Sequence, residues 1–259
     1  MAETATKLTN KVAWVDLATK DSEGSRAFYS GLFGWTAEVN PDPQYGGYSV
    51  ATSGGSDVAG IGPAMDPDQP PAWSVYLGTD DLEDLANRVT TAGGTVVVAP
   101  FPVGDQGSMA VFQDPTGAFI SAWQGTRMGG FQTQGANAFG WAELNTRGID
   151  QAIAFYEGVF GWTHDAMPAT ATSPEYTTFY SGGDRVGGAM PMDAAMPPNI
   201  PSYWMPYFGV DDVDQAFAKA KELGAREMVP PTDFPGGRFA IVGDPQGAMF
   251  GLMRFAAQS

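Results

Sequence analysis

The second half of this 259-residue chain repeats the first in motif order and spacing. The segment FYSGLFGW at residues 28–35 returns 127 positions later as FYEGVFGW at residues 155–162. The segment DPTGA at residues 114–118 returns as DPQGA at residues 244–248. Such self-similarity indicates a tandem duplication. We therefore expect features that the halves share to reflect architecture, and features that differ to reflect specificity.

Each half is predicted to hold two units of one strand, one helix and about three strands. In the first unit, the alternating apolar residues 11–18 predict a strand. The apolar stripe within residues 27–33 then predicts a helix that ends at Gly34. A second helix is expected to be N-capped within the acidic pair Asp80 and Asp81. The Gly- and Gln-rich segment after the first half favours a linker, so we predict domains over 1–125 and 138–259, joined by a linker over 126–137.

Charge and composition exclude several classes of function. The 29 acidic and 13 basic residues give a net charge of -16, which disfavours nucleic acid as a partner. Such a charge either attracts cationic small molecules or simply maintains solubility. The chain has no Cys, no signal-peptide core at its N-terminus and no apolar stretch long enough to span a membrane. We expect a cytoplasmic protein without a membrane partner.

The histidine count restricts metal chemistry further. The chain contains one histidine, His164. A metal site built on two or three imidazoles therefore cannot form within one chain, although an all-carboxylate site stays possible. A Ser-His-Asp hydrolase would also have to use this residue.

The motifs together resemble the vicinal oxygen chelate superfamily, which includes glyoxalase I, bleomycin-resistance proteins and extradiol dioxygenases. Within it, the chain is similar to tandem-domain actinomycete proteins labelled hydroxylase or glyoxalase-like. The resemblance implies an α+β fold of four βαβββ modules in two tandem domains, each a cupped eight-stranded mixed sheet with helices outside. The residues that carry it are Phe28-Tyr29, Leu32-Phe33-Gly34, Asp80-Asp81, Phe155-Tyr156, Val159-Phe160-Gly161, Asp211-Asp212 and the Asp-Pro turns at 114–117 and 244–247.

The resemblance also implies where the family's metal ligands would stand, and this chain lacks them. Counted from the nearest motif, the positions are Trp14, Ser74, Ser121 and the vicinity of Gly60 in the first half, and Trp141, Met205, Gly251 and the vicinity of Gly188 in the second. None is a His, Glu, Gln, Asp or Tyr. We therefore expect no metal and no other cofactor, which disfavours metal-dependent glyoxalase or dioxygenase activity. The glycines at these positions are expected to open space for a larger molecule.

Strand alternation places other side chains beside these positions. Asp16 shares a face with Trp14, and Glu143 with Trp141, so each half is predicted to hold an indole beside one carboxylate. Burial beside an indole would raise the pKa of the carboxyl, which suits a general acid or base. We predict Asp16 and Glu143 as candidate catalytic groups. The predicted ligand-binding residues are Trp14, Tyr48, Ser74, Tyr76, Ser121, Trp123, Trp141, Met205, Tyr207 and Met253.

A purely structural interpretation stands beside this one. Trp14 and Trp141 would then only fill the core, with the two acids bonded to backbone groups or tyrosine hydroxyls. Phe28, Tyr29 and their repeats are expected to pack helix on sheet, and Trp35 and Trp162 to cover the sheet edge.

Three functions are left open by the sequence. The first is metal-free binding of a planar or hydrophobic small molecule, such as a secondary metabolite or antibiotic, in an aromatic-lined cup. The second is a metal-independent isomerase, lyase or cyclase that acts on such a molecule. The third is a protein-interaction role, which no specific feature of the sequence supports. The sequence does not decide between monomer and homodimer, or which half is active.

Overall fold

The structure, a computed structural model, describes residues 8–66, 68–128, 131–133, 135–170, 174–194 and 196–256. The expectations for the first seven residues, and for residues 129, 130 and 134 of the predicted linker, lie outside this part of the chain.

The first half contains eight strands and two helices in the predicted strand–helix–strands order. They are β1 (Val12–Thr19), α1 (Ser22–Phe33), β2 (Thr36–Val39), β3 (Ser49–Ser53), β4 (Ser56–Pro63), β5 (Ala72–Gly78), α2 (Leu82–Thr91), β6 (Thr95–Val103), β7 (Gly107–Gln113) and β8 (Phe119–Gly125).

The second half repeats this order element for element. Its elements are β9 (Phe139–Thr146), α3 (Ile149–Phe160), β10 (Thr163–Met167), β11 (Tyr176–Ser181), β12 (Asp184–Pro191), β13 (Tyr203–Gly209), α4 (Val213–Glu222), β14 (Arg226–Phe234), β15 (Gly237–Gly243) and β16 (Met249–Phe255).

Each half forms one eight-stranded mixed sheet, and the two sheets have the same topology. The strand orders are β2-β3-β4-β1-β5-β8-β7-β6 and β10-β11-β12-β9-β13-β16-β15-β14. The pairs β1–β4, β5–β8, β9–β12 and β13–β16 are parallel, and the hairpins that follow each helix are antiparallel. The predicted α+β class with four βαβββ modules is confirmed.

The helix ends follow the sequence signals. Asp21 caps α1, whose C-terminal Gly34 adopts the left-handed conformation with φ 73° that glycine tolerates best. Asp81 and Asp212, the second acids of their pairs, cap α2 and α4 by accepting a backbone N–H. The prediction that these acidic pairs hold the N-caps is confirmed. Within the described residues, no helix is long and apolar enough to cross a bilayer.

The chain divides into two compact units, and each unit combines a module from one half with a module from the other. One unit, which we call the inner unit for its place in the sequence alone, comprises the described residues of the ranges 1–14, 75–130 and 141–204. The other, the outer unit, comprises the described residues of the ranges 15–74, 131–140 and 205–259. The predicted boundaries at residues 125 and 138 mark where the sequence repeats. That they separate independently folding domains stays a prediction.

The aromatic side of α1 forms the core of the outer unit. Tyr29 is fully buried and stacks near Trp35 and Phe33, whereas Phe208 and Phe250 of the second half close the cluster. Packing of helix on sheet by the Phe-Tyr motif is therefore confirmed, but the sheet residues come partly from the other half of the chain.

A buried hydrogen-bonded triad joins the halves in each unit. In the outer unit, the Tyr29 hydroxyl donates to Asp244 Oδ2 at 3.1 Å and accepts from Trp73 Nε1 at 3.0 Å. The same arrangement recurs in the inner unit, where the corresponding residues are Tyr156, Asp114 and Trp204, with distances of 3.0 and 2.6 Å. The Phe-Tyr motif of each half thus binds the Asp-Pro turn of the other.

Two tryptophans add a second link, and their predicted place at the sheet edge was wrong. Trp35 and Trp162 are only 2% and 3% exposed, and both stack on the buried tyrosines. Trp35 Nε1 donates to the carbonyl of Asn137 at 2.7 Å, and Trp162 Nε1 to the carbonyl of Asn10 at 2.8 Å. Each tryptophan lies two residues after its helix, α1 or α3, and its indole is buried in the core instead of covering the edge of a sheet.

Candidate functional site

The two faces of each sheet have different environments. Trp73, Phe179, Trp204 and Phe208 contact the helices, so they define the helix-facing side. Because side chains alternate along a strand, their neighbours point to the opposite, helix-free face. That face carries the predicted site residues of β5 and β13, which are Ser74, Tyr76, Met205 and Tyr207.

Tyrosine rings fill the space beside the glycines on the helix-free face. A Cβ on Gly60 would lie 1.7 Å from the Tyr48 hydroxyl oxygen, and one on Gly188 would lie 2.2 Å from that of Tyr176. A Cβ on Gly251 would lie 1.9 Å from Tyr207 Cδ1. The expectation that these glycines open space for a larger ligand was wrong, because the missing side chains admit tyrosines of this chain instead.

Two equivalent carboxylate–tyrosine pairs result, one in each unit. In the outer unit, Asp16 of β1 lies level with Gly60 of β4, and the Tyr48 hydroxyl donates to Asp16 Oδ2 at 3.3 Å. In the inner unit, Glu143 of β9 lies level with Gly188 of β12, and the hydroxyl of Tyr176 is hydrogen-bonded to Glu143.

The pair in the inner unit has further partners. Trp141 Nε1 donates to the Tyr176 hydroxyl at 2.8 Å, and Asn145 Nδ2 donates to Glu143 Oε1 at 3.3 Å. Glu143 is 8% exposed and Asn145 is 5% exposed, whereas the tryptophan and the tyrosine are half-buried. We name these four residues the Glu143 cluster. Its carboxylate is held on the helix-free face by a side chain of its own strand, β9, and by one of β11, which lies beyond β12.

The phenols around Glu143 keep their protons at neutral pH. Burial is the main cause that raises the pKa of Tyr176, and the negative charge of Glu143 raises it further, against the hydrogen bond from Trp141. Burial and the same charge raise the pKa of Tyr203, which is half-buried on β13. These tyrosines are therefore hydrogen-bond donors rather than bases.

The structure leaves the remaining predicted ligand residues as candidates. Tyr76 lies level with Ser121, as Tyr207 does with Gly251, and these side chains are buried. Trp123 is also buried, but its Nε1 donates to the carbonyl of Met128 at 3.1 Å, which is a structural contact. Trp14, Met205 and Met253 are each at most 5% exposed, and Ser74 is half-buried.

Three residues of the site were missed in the sequence, namely Tyr176, Asn145 and Tyr203. Tyr176 corresponds to Tyr48 at an offset of 128 rather than 127 residues, because the second half carries one extra residue before it. Gly188 and Gly60 differ by the same 128 positions, which is the signal that could have revealed the pair.

None of the positions that the family resemblance assigns to metal ligands carries a His, Asp or Glu. Across the part of the chain that the structure describes, no three of the His, Cys, Asp and Glu side chains lie close enough to hold an ion. His164 lies on the edge strand β10, where its Nδ1 lies 2.7 Å from Glu157 Oε1. His164 is exposed on this edge strand and lies level with Phe179 of β11.

The tight fit of Tyr207 over Gly251 makes a testable prediction. We expect Gly251→Ala to lower the free energy of unfolding by about 1–3 kcal/mol, because the Cβ meets the base of a ring that is only 3% exposed and cannot swing away. Urea unfolding followed by circular dichroism measures this.

Gly158→Ala is the matched control for that substitution. Gly158 is an exposed residue of α3 whose Cβ would have no heavy atom within 4 Å. This variant should gain about 0.5–1 kcal/mol from helix propensity. Equal effects of the two substitutions would contradict the described packing of Tyr207.

Comparison with known proteins agrees with this fold. A family model described as "Glyoxalase/Bleomycin resistance protein/Dioxygenase superfamily" matches residues 11–121 and 138–252. CFP32 of Mycobacterium tuberculosis (strain CDC 1551 / Oshkosh), provisionally named a glyoxylase, is 41% identical over 254 residues, which are 95% of each chain. The anthracycline biosynthesis protein DnrV of Streptomyces peucetius is 37% identical over 257 residues, covering 93% of this chain and 92% of that protein.

Solved structures with low sequence identity share the architecture. The 2,3-dioxygenase LapB of Pseudomonas sp. KL28 has a TM-score of 0.68 at 14% identity, over 96% of this chain and 93% of that one. The Mn(II)-bound glyoxalase of Novosphingobium aromaticivorans has a TM-score of 0.63 at 16% identity, over 95% and 82%. The chain therefore belongs to the glyoxalase/bleomycin resistance protein/dioxygenase superfamily.

Proposed function

We propose that this protein binds a planar, mainly apolar small organic molecule on the helix-free sheet face, without a metal ion. The observation that carries the proposal is the Glu143 cluster, in which an indole, a phenol and a carboxylate stand beside glycine. Aromatic side chains stack on flat ligands, and one carboxylate fixes their orientation. The relatives that are named for anthracycline biosynthesis support a fused-ring ligand from secondary metabolism.

The residues present do not fit the metal ion that one structural neighbour contains. At the positions that the family resemblance assigns to ligands, this chain has Trp141, Gly188, Met205 and Gly251 in the second half, with Trp14, Gly60, Ser74 and Ser121 in the first. Indoles and glycines offer no donor atom for a metal, and serine and thioether groups are weak ligands for Mn(II). Tyr176, one of the tyrosines that cover the glycines, keeps its proton and is a hydrogen-bond donor.

Calorimetric titration with 2-(dimethylamino)anthraquinone, a flat and uncharged probe, tests the proposal. We expect one-to-one binding with a Kd on the order of micromolar, and a loss of about tenfold or more in Trp141→Ala, because a central aromatic contact is removed. Met65→Ala is the control, since Met65 is 81% exposed in a loop after β4. Failure of the wild-type protein to bind, or equal affinity of all three proteins, would refute the proposal.

A second function is favoured by the hydrogen bonds of Glu143, namely metal-independent isomerase, lyase or cyclase chemistry on the same ligand. Glu143 would take a proton from the substrate as general base, and Asp16 is its counterpart in the outer unit. Once a substrate is found, Glu143→Gln should lower kcat by about 10²–10⁴-fold while substrate binding is retained. Unchanged kcat in both Glu143→Gln and Asp16→Asn would exclude this function.

A further inference from the structure

We propose that Glu143 recognises an N–H or O–H group on the ligand, and that Trp141, Tyr176 and Asn145 hold its carboxylate as a hydrogen-bond acceptor. The inference rests on the proposed binding function and narrows its ligand class to planar molecules with a proton donor near one edge. It also assigns this selectivity to the inner unit rather than to Asp16.

The direction of the hydrogen bonds in the cluster follows from the chemistry of the groups. An indole nitrogen can only donate, so the Tyr176 oxygen accepts from Trp141 across 2.8 Å. The Tyr176 proton is then directed to Glu143, to which this hydroxyl is bonded. The amide of Asn145 donates to Oε1 of the same carboxyl. Both of these named partners of Glu143 are donors, which favours the ionised form of its carboxyl.

The tyrosines near Glu143 keep their protons. Burial and the charge of Glu143 raise the pKa values of Tyr176 and Tyr203 above those of ordinary tyrosines. Both phenols therefore stay neutral beside the carboxyl of Glu143, which is 8% exposed among half-buried aromatic rings. Hydrogen bonds to an ionised acceptor in such surroundings are stronger than those between neutral groups.

The other half has different residues at the equivalent place. Asp16 has the Tyr48 hydroxyl at 3.3 Å, but Ala18 stands where the second half has Asn145. An aspartate is also one methylene shorter than Glu143. The two halves therefore differ in the amide of Asn145 and in the length of the acidic side chain, and this difference carries the assignment to the inner unit.

A pair of probes tests the proposal by calorimetry at pH 7. 2-Aminoanthraquinone has N–H donors, whereas 2-(dimethylamino)anthraquinone has none, and both are uncharged. We expect the wild-type protein to bind the amino compound about tenfold more tightly, as for a hydrogen bond to a charged group. Glu143→Gln should reduce this ratio to about twofold or less. Asp16→Asn, the matched substitution in the other half, should leave it unchanged.

Each result decides the proposal. A wild-type protein that binds both probes equally refutes donor recognition by Glu143 but leaves the proposed binding function standing. A protein that binds neither probe refutes both. A ratio that falls in Asp16→Asn instead of Glu143→Gln overturns the assignment to the inner unit.

A measurement without ligand tests the state of the carboxyl independently. The ¹³C carboxyl resonance of Glu143, assigned by its loss in Glu143→Gln, should have the shift of an ionised group at pH 7. A protonated Glu143 would overturn the proposal whatever the probes show. Tyr176→Phe keeps the ring over Gly188 but removes the donor, and should lower the probe ratio while the fold is retained.

Discussion

Residues 1–125, expressed without the rest of the chain, are expected not to fold as a monomer. In the intact protein, Phe33 and Tyr29 of α1 pack against Phe208 and Phe250, which this fragment lacks. The carboxylate that accepts from Tyr29, that of Asp244, is lost as well. Because each unit draws on both halves, the fragment would expose an aromatic helix face. The expected near-ultraviolet circular dichroism is that of a chain without fixed aromatic packing.

Joining the fragments again provides the control. A protease site placed between residues 128 and 131 of the intact protein should give two chains that elute together in gel filtration and keep the native circular dichroism. A fragment 1–125 that is monomeric and well dispersed in a ¹H–¹⁵N NMR spectrum would contradict the expectation, and would favour domains with the boundaries predicted from the sequence.

Asp244→Ala is expected to lower the free energy of unfolding by about 3–5 kcal/mol. Asp244 is 3% exposed and accepts three hydrogen bonds, from the Tyr29 hydroxyl at 3.1 Å and from the backbone N–H groups of Gln246 and Ala248 at 2.9 Å. Each buried donor without an acceptor costs about 1–3 kcal/mol. Since domains are stable by about 5–15 kcal/mol, urea unfolding should show a large shift of the midpoint.

Asp244→Asn is the milder control, because the amide keeps one acceptor oxygen. Burial raises the pKa of Asp244 above the ordinary aspartate value, so the folded protein binds the proton more tightly than the unfolded chain does. Stability therefore increases as the pH falls through the raised pKa, and this gain is complete below the unfolded value of about 3.9. Asp244→Asn should remove that rise. An Asp244→Ala loss of less than about 1 kcal/mol would contradict the triad's role.

Much of the fold could be predicted from the sequence because it depends on local signals. The strand of residues 11–18, the helix that ends at Gly34 and the caps at Asp81 and Asp212 each follow from alternation, periodicity or capping chemistry. The edge strands β2 and β10 were not located, because they are short and largely exposed and therefore carry no apolar alternation.

The candidate site could be predicted only in part, for a reason that is spatial. Asp16, Glu143 and Trp141 were identified because side chains alternate along each single strand, a pattern that is visible in the local sequence. The placement of Tyr176 over Gly188 depends on how three strands align, and this alignment cannot be inferred from the types of the two residues. The pairing of Tyr29 with Asp244 spans 215 residues, a separation over which sequence periodicity carries no information.

The alternation of modules between the two units sets an order for assembly on the ribosome. All segments of the inner unit have been synthesised once residue 204 is added, whereas residues 15–74 of the outer unit wait for residues 205–259. At translation rates of about 5–20 residues per second, that delay is on the order of 10 s. Throughout it, the aromatic face of α1 lacks its final neighbours, so this segment is where we expect chaperones to bind.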